Sequence, residues 1–302
     1  VTTPGIPNDY SLSTMCFGTR LTSIQDQIFA AVGMGFRRIE LGLAAAPPSM
    51  DGLEDSQRET GVQIPSMVVG CRDAVNGSLS AQHLGSRVEE ECDRAINAVR
   101  RHVRLARSWG CPTIVVRGLK LSDPTLRREG EALAQRLDRV PSEDDDEALA
   151  FVKRAAKKSQ RQIEQVCRSL HLLTQEFPDV VFAIEPAREI EDLFSLQSVE
   201  WILGDLAGLR YWHNVGNAHR REQRELEDHG KWLESFGHRM VGVHLQDACP
   251  QELEMPLGTG EVDFKLLGDY LPQAAEKVLE IGPRHGRAEI LASVQFLLDH
   301  GF

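Results

Sequence analysis

The sequence predicts an α/β fold, a (β/α)8 TIM barrel forming one domain over residues 1–302. Three observations predict it. Short apolar runs alternate with amphipathic helical patterns along the chain, which implies a parallel sheet covered by helices. The alternation repeats eight times in 302 residues, the count and length of a closed barrel with insertions. No stretch rich in Pro, Gly or Ser is long enough to divide the chain. The competing architecture is an open, doubly wound sheet. It would carry a glycine-rich turn after its first strand, and CFGTRLTS at 16–23 is no such turn.

Residues 11–17 read as the first strand and 22–34 as a helix, with Ile24, Ile28 and Val32 on one stripe. FRRIELG at 36–42 is the second strand. Pro47 and Pro48 break the chain before a short helix at 50–60, and 62–69 is the third strand. Leu84, Val88, Cys92, Ala95, Val99, Val103 and Ala106 then mark one long amphipathic helix. PTIVVR at 112–117 is the fourth strand, followed by a long connection with helical pieces over 121–141. The acidic run at 143–147 opens a helix to about residue 176, because carboxylates suit the positive end of a helix. Strands five to eight fall at 180–185, 209–214, 239–246 and 277–281. Helices at 195–205, 222–236, 263–271 and 287–298 follow them in turn.

Acidic residues outnumber basic ones 45 to 34, a net charge of −11. That field repels a polyanion, so no nucleic-acid partner is expected. No run approaches the ~20 apolar residues of a membrane span, so no membrane partner is expected either. Residues 1–10 are polar and broken by prolines, unlike a secretory signal. Six cysteines without a CxxC pair read as reduced thiols of a cytoplasmic protein. There is no GxxxxGK[ST] loop, no HExxH and no GxSxG, which removes the common nucleotide, zinc-protease and serine-hydrolase signatures. Trp109, Trp201, Trp212 and Trp232 are expected in the core.

In such a barrel the chemistry sits at the C-terminal strand ends. The polar residues that end apolar runs are Glu40, Arg117, Glu185, Asn214, His244 with Gln246 and Asp247, and Glu280. Glu185 follows Phe182, Ala183 and Ile184, and Glu280 follows Val278 and Leu279. A carboxylate there loses hydration and requires a cation or hydrogen-bond donors. Strands five to eight adjoin one another, so Glu185, Asn214, His244 and Glu280 are expected to converge. Two carboxylates, an imidazole and an amide oxygen suit a divalent ion such as Mn²⁺ or Mg²⁺, and Zn²⁺ less well. For any one of these residues alone, a structural ion pair explains it equally well. Four at matching strand ends favour a site.

RRIEL at 37–41, AIEPARE at 183–189, VGVHLQDA at 241–248, PLGTGEVDF at 256–264 and VLEIG at 278–282 together resemble the xylose isomerase-like barrels. That group holds sugar isomerases, epimerases and apurinic-site endonucleases. The resemblance runs from about residue 11 to 300, and the PLGTGEVDF turn is its most specific piece. It implies Glu185, His244 and Glu280 as ligands of a divalent metal. The sixth strand departs from the pattern of Asp, any residue, Gly, His: Asn214 stands at the Asp and Asn217 at the His. A neutral oxygen at 214 weakens or abolishes the metal site. Arg117 stands where many members carry His. It either supplies positive charge there or pins Glu185 or Glu40. His213 and His219 flank the altered motif, but strand alternation argues against either replacing the lost ligand.

The resemblance further implies isomerisation or epimerisation of a small sugar, sugar phosphate or polyol. Glu185 and Glu280, from nearly opposite sides of the substrate, would exchange a proton next to a carbonyl. A metal between them would polarise that carbonyl, and Arg188, Arg117 and Asn217 would bind substrate. At the endonuclease branch's Asp-x-His position this sequence has Glu252 and Glu254, which argues against DNA repair. The alternative function is a metal-free barrel that has lost the reaction and binds a sugar-like ligand or a protein partner. A homo-oligomer is compatible with either.

Overall fold

A computed structural model describes residues 5–72, 80–139 and 145–302. Eight parallel strands close into a barrel. They are β1 (Tyr10–Ser13), β2 (Arg38–Leu41), β3 (Gln63–Val68), β4 (Thr113–Val116), β5 (Val181–Ile184), β6 (Arg210–Asn214), β7 (Met240–Leu245) and β10 (Glu276–Leu279). Each pairs with its neighbour in chain order, and β10 closes onto β1. Between β7 and β10 lies a two-stranded antiparallel hairpin, β8 (Asp247–Cys249) and β9 (Glu252–Met255). The register sets Ser13 beside Glu40, Glu40 beside Ser66, and Asn214 beside His244. The polar strand ends thus form one layer at the barrel mouth.

Beneath that layer the barrel interior is packed by Val68, Val115, Ala183, Trp212 and Val278. Trp212 is fully buried, and Gly242 on β7 leaves the space its ring fills. A much larger apolar cluster lies between the strands and the surrounding helices. Those helices are α1 (Ile24–Met34), α2 (Leu53–Thr60), α3 (Glu89–Ser108), α4 (Pro124–Arg139), α5 (Asp145–Lys158), α6 (Gln160–Glu176), α7 (Leu196–Asp205), α8 (Val215–Gln223), α9 (His229–Phe236), α10 (Phe264–Tyr270) and α11 (Arg287–Asp299).

Several boundaries differ from the sequence reading for local reasons. The first strand stops at Ser13, whose hydroxyl accepts from the Met15 N–H and opens a 3-10 turn over Thr14–Phe17. The connection at 121–141 contains one helix, α4. Asp123 accepts from the Thr125 and Leu126 N–H groups, and Pro124 takes the first helical position, where it has no N–H to lose. The single helix expected to run to 176 is two, α5 and α6, parted at Ser159. The start of its acidic run lies outside the described residues. The helix expected at 222–236 is also two. Glu225 adopts φ +52°, and Asp228 caps α9 by accepting from the Lys231 N–H. The β8–β9 hairpin had no counterpart in the sequence reading. No helix among the described residues is long and apolar enough to cross a membrane.

Candidate active site

Glu185 and Glu280 each stand one residue past a strand. Their N–H groups continue the ladder, donating to Val116 O at 3.3 Å and Leu245 O at 2.9 Å. Asn214 ends β6 and caps α8. Its Oδ1 accepts from the Asn217 N–H and from Gln246 Nε2, both at 3.0 Å. A backbone N–H can only donate, so the amide orientation is fixed. Nδ2 therefore faces the carboxylates, and it donates to Glu185 Oε1 at 2.8 Å and to Glu280 Oε2 at 3.0 Å. Gln246 is oriented in the same way. Its Oε1 accepts from the Glu254 N–H at 2.7 Å, and its Nε2 donates to Glu280 Oε2 at 3.2 Å.

Arg117, one residue past β4, brings a cation to both carboxylates. Its Nη1 donates to Glu280 Oε1 at 2.8 Å and to Glu185 Oε1 at 3.2 Å. Glu185 is fully buried and Glu280 2% exposed. Their environments push the two groups apart. Burial acts to raise Glu185, yet Arg117 and then His244 outweigh it and lower its pKa to about 2. Burial also acts on Glu280 and, with the neighbouring Glu185 charge, leaves its pKa above the usual range.

His244 completes the layer. Its Nε2 lies 2.9 and 3.0 Å from the two Glu40 oxygens, and its Nδ1 lies 3.1 Å from Glu185 Oε2. Burial works against its charge, but Glu280, Glu40 and Glu185 together raise its pKa well above 6.5. Ser66 Oγ donates to Glu40 Oε2 at 2.9 Å.

Above this layer opens a cavity of about 510 Å³. Glu185, Glu280, Arg117, Asn214, Asn217 and Arg188 all line it, with Gln246, Gln82, Asp192 and Glu254. The predicted residues are therefore brought together. Glu185 and Glu280 come from well-separated strands, yet their side chains meet at one Arg117 nitrogen. His244 lies below the cavity floor. Asn217 Nδ2 reaches Pro186 O at 3.3 Å and Glu185 Oε1 at 3.4 Å. Arg188 sits half-exposed at the rim, donating to Glu254 Oε1 at 2.6 Å. His213 points away from the mouth, as alternation requires, while Trp212 faces inward beside His244, ring centres 5.2 Å apart. Sequence reasoning noted Glu40 and Gln246 as strand-end residues, offering Arg117 as a partner for Glu40 and none for Gln246. The pairing of Glu40 with His244 joins residues 204 positions apart, which no local pattern carries.

The donor set decides whether a divalent ion fits. Glu40, His244 and Glu280 do offer ligand atoms within 4.8 Å of one another. The implied ligand set of Glu185, Asn214, His244 and Glu280 does not present converging lone pairs. Asn214 turns its NH₂ toward both carboxylates, and Arg117 Nη1 stands between Glu185 and Glu280. As they stand, Glu185, Asn214 and Glu280 are engaged by a guanidinium and an amide NH₂, while Glu40, His244 and Glu280 keep ligand atoms close enough together for an ion.

No protein-family model matches the chain, and no curated protein does. Solved structures do. A D-tagatose 3-epimerase-like protein superposes with a TM-score of 0.67 at 13% identity, covering 96% of each chain. A family 2 AP endonuclease from Brucella melitensis gives 0.63 at 12% identity, covering 96% of this chain and 98% of its own. The IolI protein with a bound zinc atom gives 0.57 at 10% identity, covering 96% of each. The chain shares the TIM-barrel fold of these proteins. Identities this low establish the fold, and the activity has to be argued from the site.

Proposed function

We propose that the chain isomerises or epimerises a small sugar, sugar phosphate or polyol by proton transfer next to a carbonyl, without a metal ion. One observation carries this reading: two buried carboxylates share a single arginine nitrogen at the floor of a cavity of about 510 Å³, large enough for a monosaccharide. Glu185, held ionised, takes the proton from the carbon beside the carbonyl. Glu280, whose pKa stands above the usual carboxylate range, is the group that delivers a proton to the adjacent carbon, or to the opposite face of the same carbon. One proton leaves carbon and one arrives, and in isomerisation the hydroxyl proton also passes to the former carbonyl oxygen, so no oxidant is required. Arg117 faces the substrate oxygen and stabilises the enediolate. As Arg117 turns from Glu185 to that oxygen, Glu185 loses its cation and becomes a stronger base. Asn217 and Arg188 hold substrate hydroxyls or phosphate. The relatives of this fold that act on sugars support the substrate class, and the six free cysteines suit a reducing, cytoplasmic compartment.

The test is product analysis across a panel of small aldoses, ketoses and keto-polyols. Glu185→Gln and Glu280→Gln should each lower turnover by about 10²-fold or more, the usual worth of acid–base help. No turnover on any member of the panel counts against the enzyme. A second reading has its own observation. Glu185 and Glu280 are already satisfied by Arg117, Asn214 and Gln246, which suits a barrel that binds a sugar-like ligand and leaves it unchanged. Ligand binding without conversion would select it.

A further inference from the structure

Outside the cavity, three side chains converge that no step above uses. His219 and Glu222 lie three residues apart on α8, hence on one face. His229 begins α9, five residues after α8 is capped at Arg224. One ligand atom from each lies within 4.8 Å of the others. His219 is 7% and His229 1% exposed, whereas Glu222 is exposed. His219 Nε2 is buried and makes no hydrogen bond. A buried polar atom without a partner is uncommon and asks for one.

We infer that His219, Glu222 and His229 form a binding site for a divalent cation of the zinc class, joining α8 to α9. Two imidazoles and a carboxylate are a common three-residue zinc set, with a fourth position left for water. The surroundings agree. His229 Nε2 lies 3.0 Å from His213 Nε2, and His213 Nδ1 lies 2.7 Å from Tyr211 Oη. Such a relay is how a metal-bound imidazole is held from behind, and it leaves Nδ1 of His229 for the ion. Glu222 Oε1 accepts from the His229 N–H at 3.1 Å, which already draws the carboxylate to the site. The charges of Asp247 and Glu261 act on His219, and those of Asp263 and Asp228 on His229, a field that favours a cation. Because Asn214 caps α8 and Asn217 lies in its first turn, the ion would brace the helix that positions both amides. The site stands independently of the reaction proposed above.

The whole chain, stripped with a chelator and dialysed, is titrated with Zn²⁺ against a chromophoric chelator. One equivalent should bind. Affinity should fall at least about tenfold in His219→Ala and in Glu222→Gln, and stay unchanged in Glu280→Gln. The melting temperature of the parent should rise with Zn²⁺, and that of Glu222→Gln should not. Glu222 is exposed, so this variant tests the site without disturbing the core. Binding that survives both substitutions, or no equivalent bound at micromolar Zn²⁺, overturns the proposal. Loss of binding in Glu280→Gln, with Glu222→Gln unaffected, would move the ion to the cavity and overturn it equally.

Discussion

Arg117 Nη1 lies 2.8 Å from Glu280 Oε1, joining the ends of β4 and β10. These strands are four places apart in a ring of eight, so the contact crosses the full width of the barrel mouth. On its way the guanidinium passes Glu185, 3.2 Å from the same nitrogen. A charge in that place gathers strand ends from opposite sides into one site.

Removing the cation should be costly. Arg117→Met leaves Glu185 and Glu280 buried with His244 as their remaining close cation. Breaking one side of a buried ion pair destabilises by ~3–5 kcal/mol. Urea unfolding of the two proteins measures it. A change below about 1 kcal/mol would mean the pairing is not maintained in solution.

The same substitution opens room for an ion. In Arg117→Ala/Asn214→Asp, a neutral side chain replaces the guanidinium and a carboxylate replaces the amide donor. The double variant should bind Mn²⁺, and the parent should not, as read by electron paramagnetic resonance of free Mn²⁺. Asn214→Asp alone adds a third negative charge beside Glu185 and Glu280, so any gain in Mn²⁺ affinity comes with lower stability in its absence. Unchanged affinity in the double variant would show that residue 214 is not placed to act as a ligand.

The stability profile with pH should fall on both sides. His244 has its pKa raised in the folded state, so its contribution is whole below pH 6.5 and is lost as pH rises through the folded value. Glu185 is lowered to about 2 from 4.5, so its contribution is whole above pH 4.5 and is lost as pH falls toward 2. Glu280 is raised and opposes Glu185 on the acid side. Urea midpoints from about pH 2 to about pH 10 give the profile. His244→Gln should flatten the alkaline side, and an alkaline side that stays as steep in that variant contradicts the assignment.

The barrel interior has its own test. A methyl group at residue 242 would overlap the six-membered ring of Trp212. Gly242→Ala should destabilise by ~1–3 kcal/mol, as overpacking does. A shifted tryptophan emission should accompany it, because Trp212 must move. A neutral substitution would mean the ring has another place to go.

Strands four, five, seven and eight were legible as short apolar runs followed closely by a polar residue, as in Val181–Ile184 before Glu185. The breaks inside helices were not. Ser159 and Glu225 interrupt patterns that stay amphipathic across them, so periodicity alone carried the reading through. The convergence of Glu185, Asn214 and Glu280 was legible from strand order, and Arg117 was singled out. What the guanidinium does was left open, because a side chain reaching across a barrel is a matter of three-dimensional distance. The Glu40–His244 pair was hidden for the same reason, as was the inward turn of the Asn214 NH₂, which depends on the Asn217 N–H and Gln246 holding its oxygen.

Proton transfer at Glu185 and Glu280 without a metal is tested most directly by incubating the chelator-treated protein with the sugar panel in D₂O. Deuterium entering the carbon next to the carbonyl is followed by NMR or mass spectrometry. The account predicts incorporation into at least one sugar in the presence of chelator, and its loss in Glu185→Gln. Incorporation that appears only when a divalent ion is added, or that persists in Glu185→Gln, would contradict it.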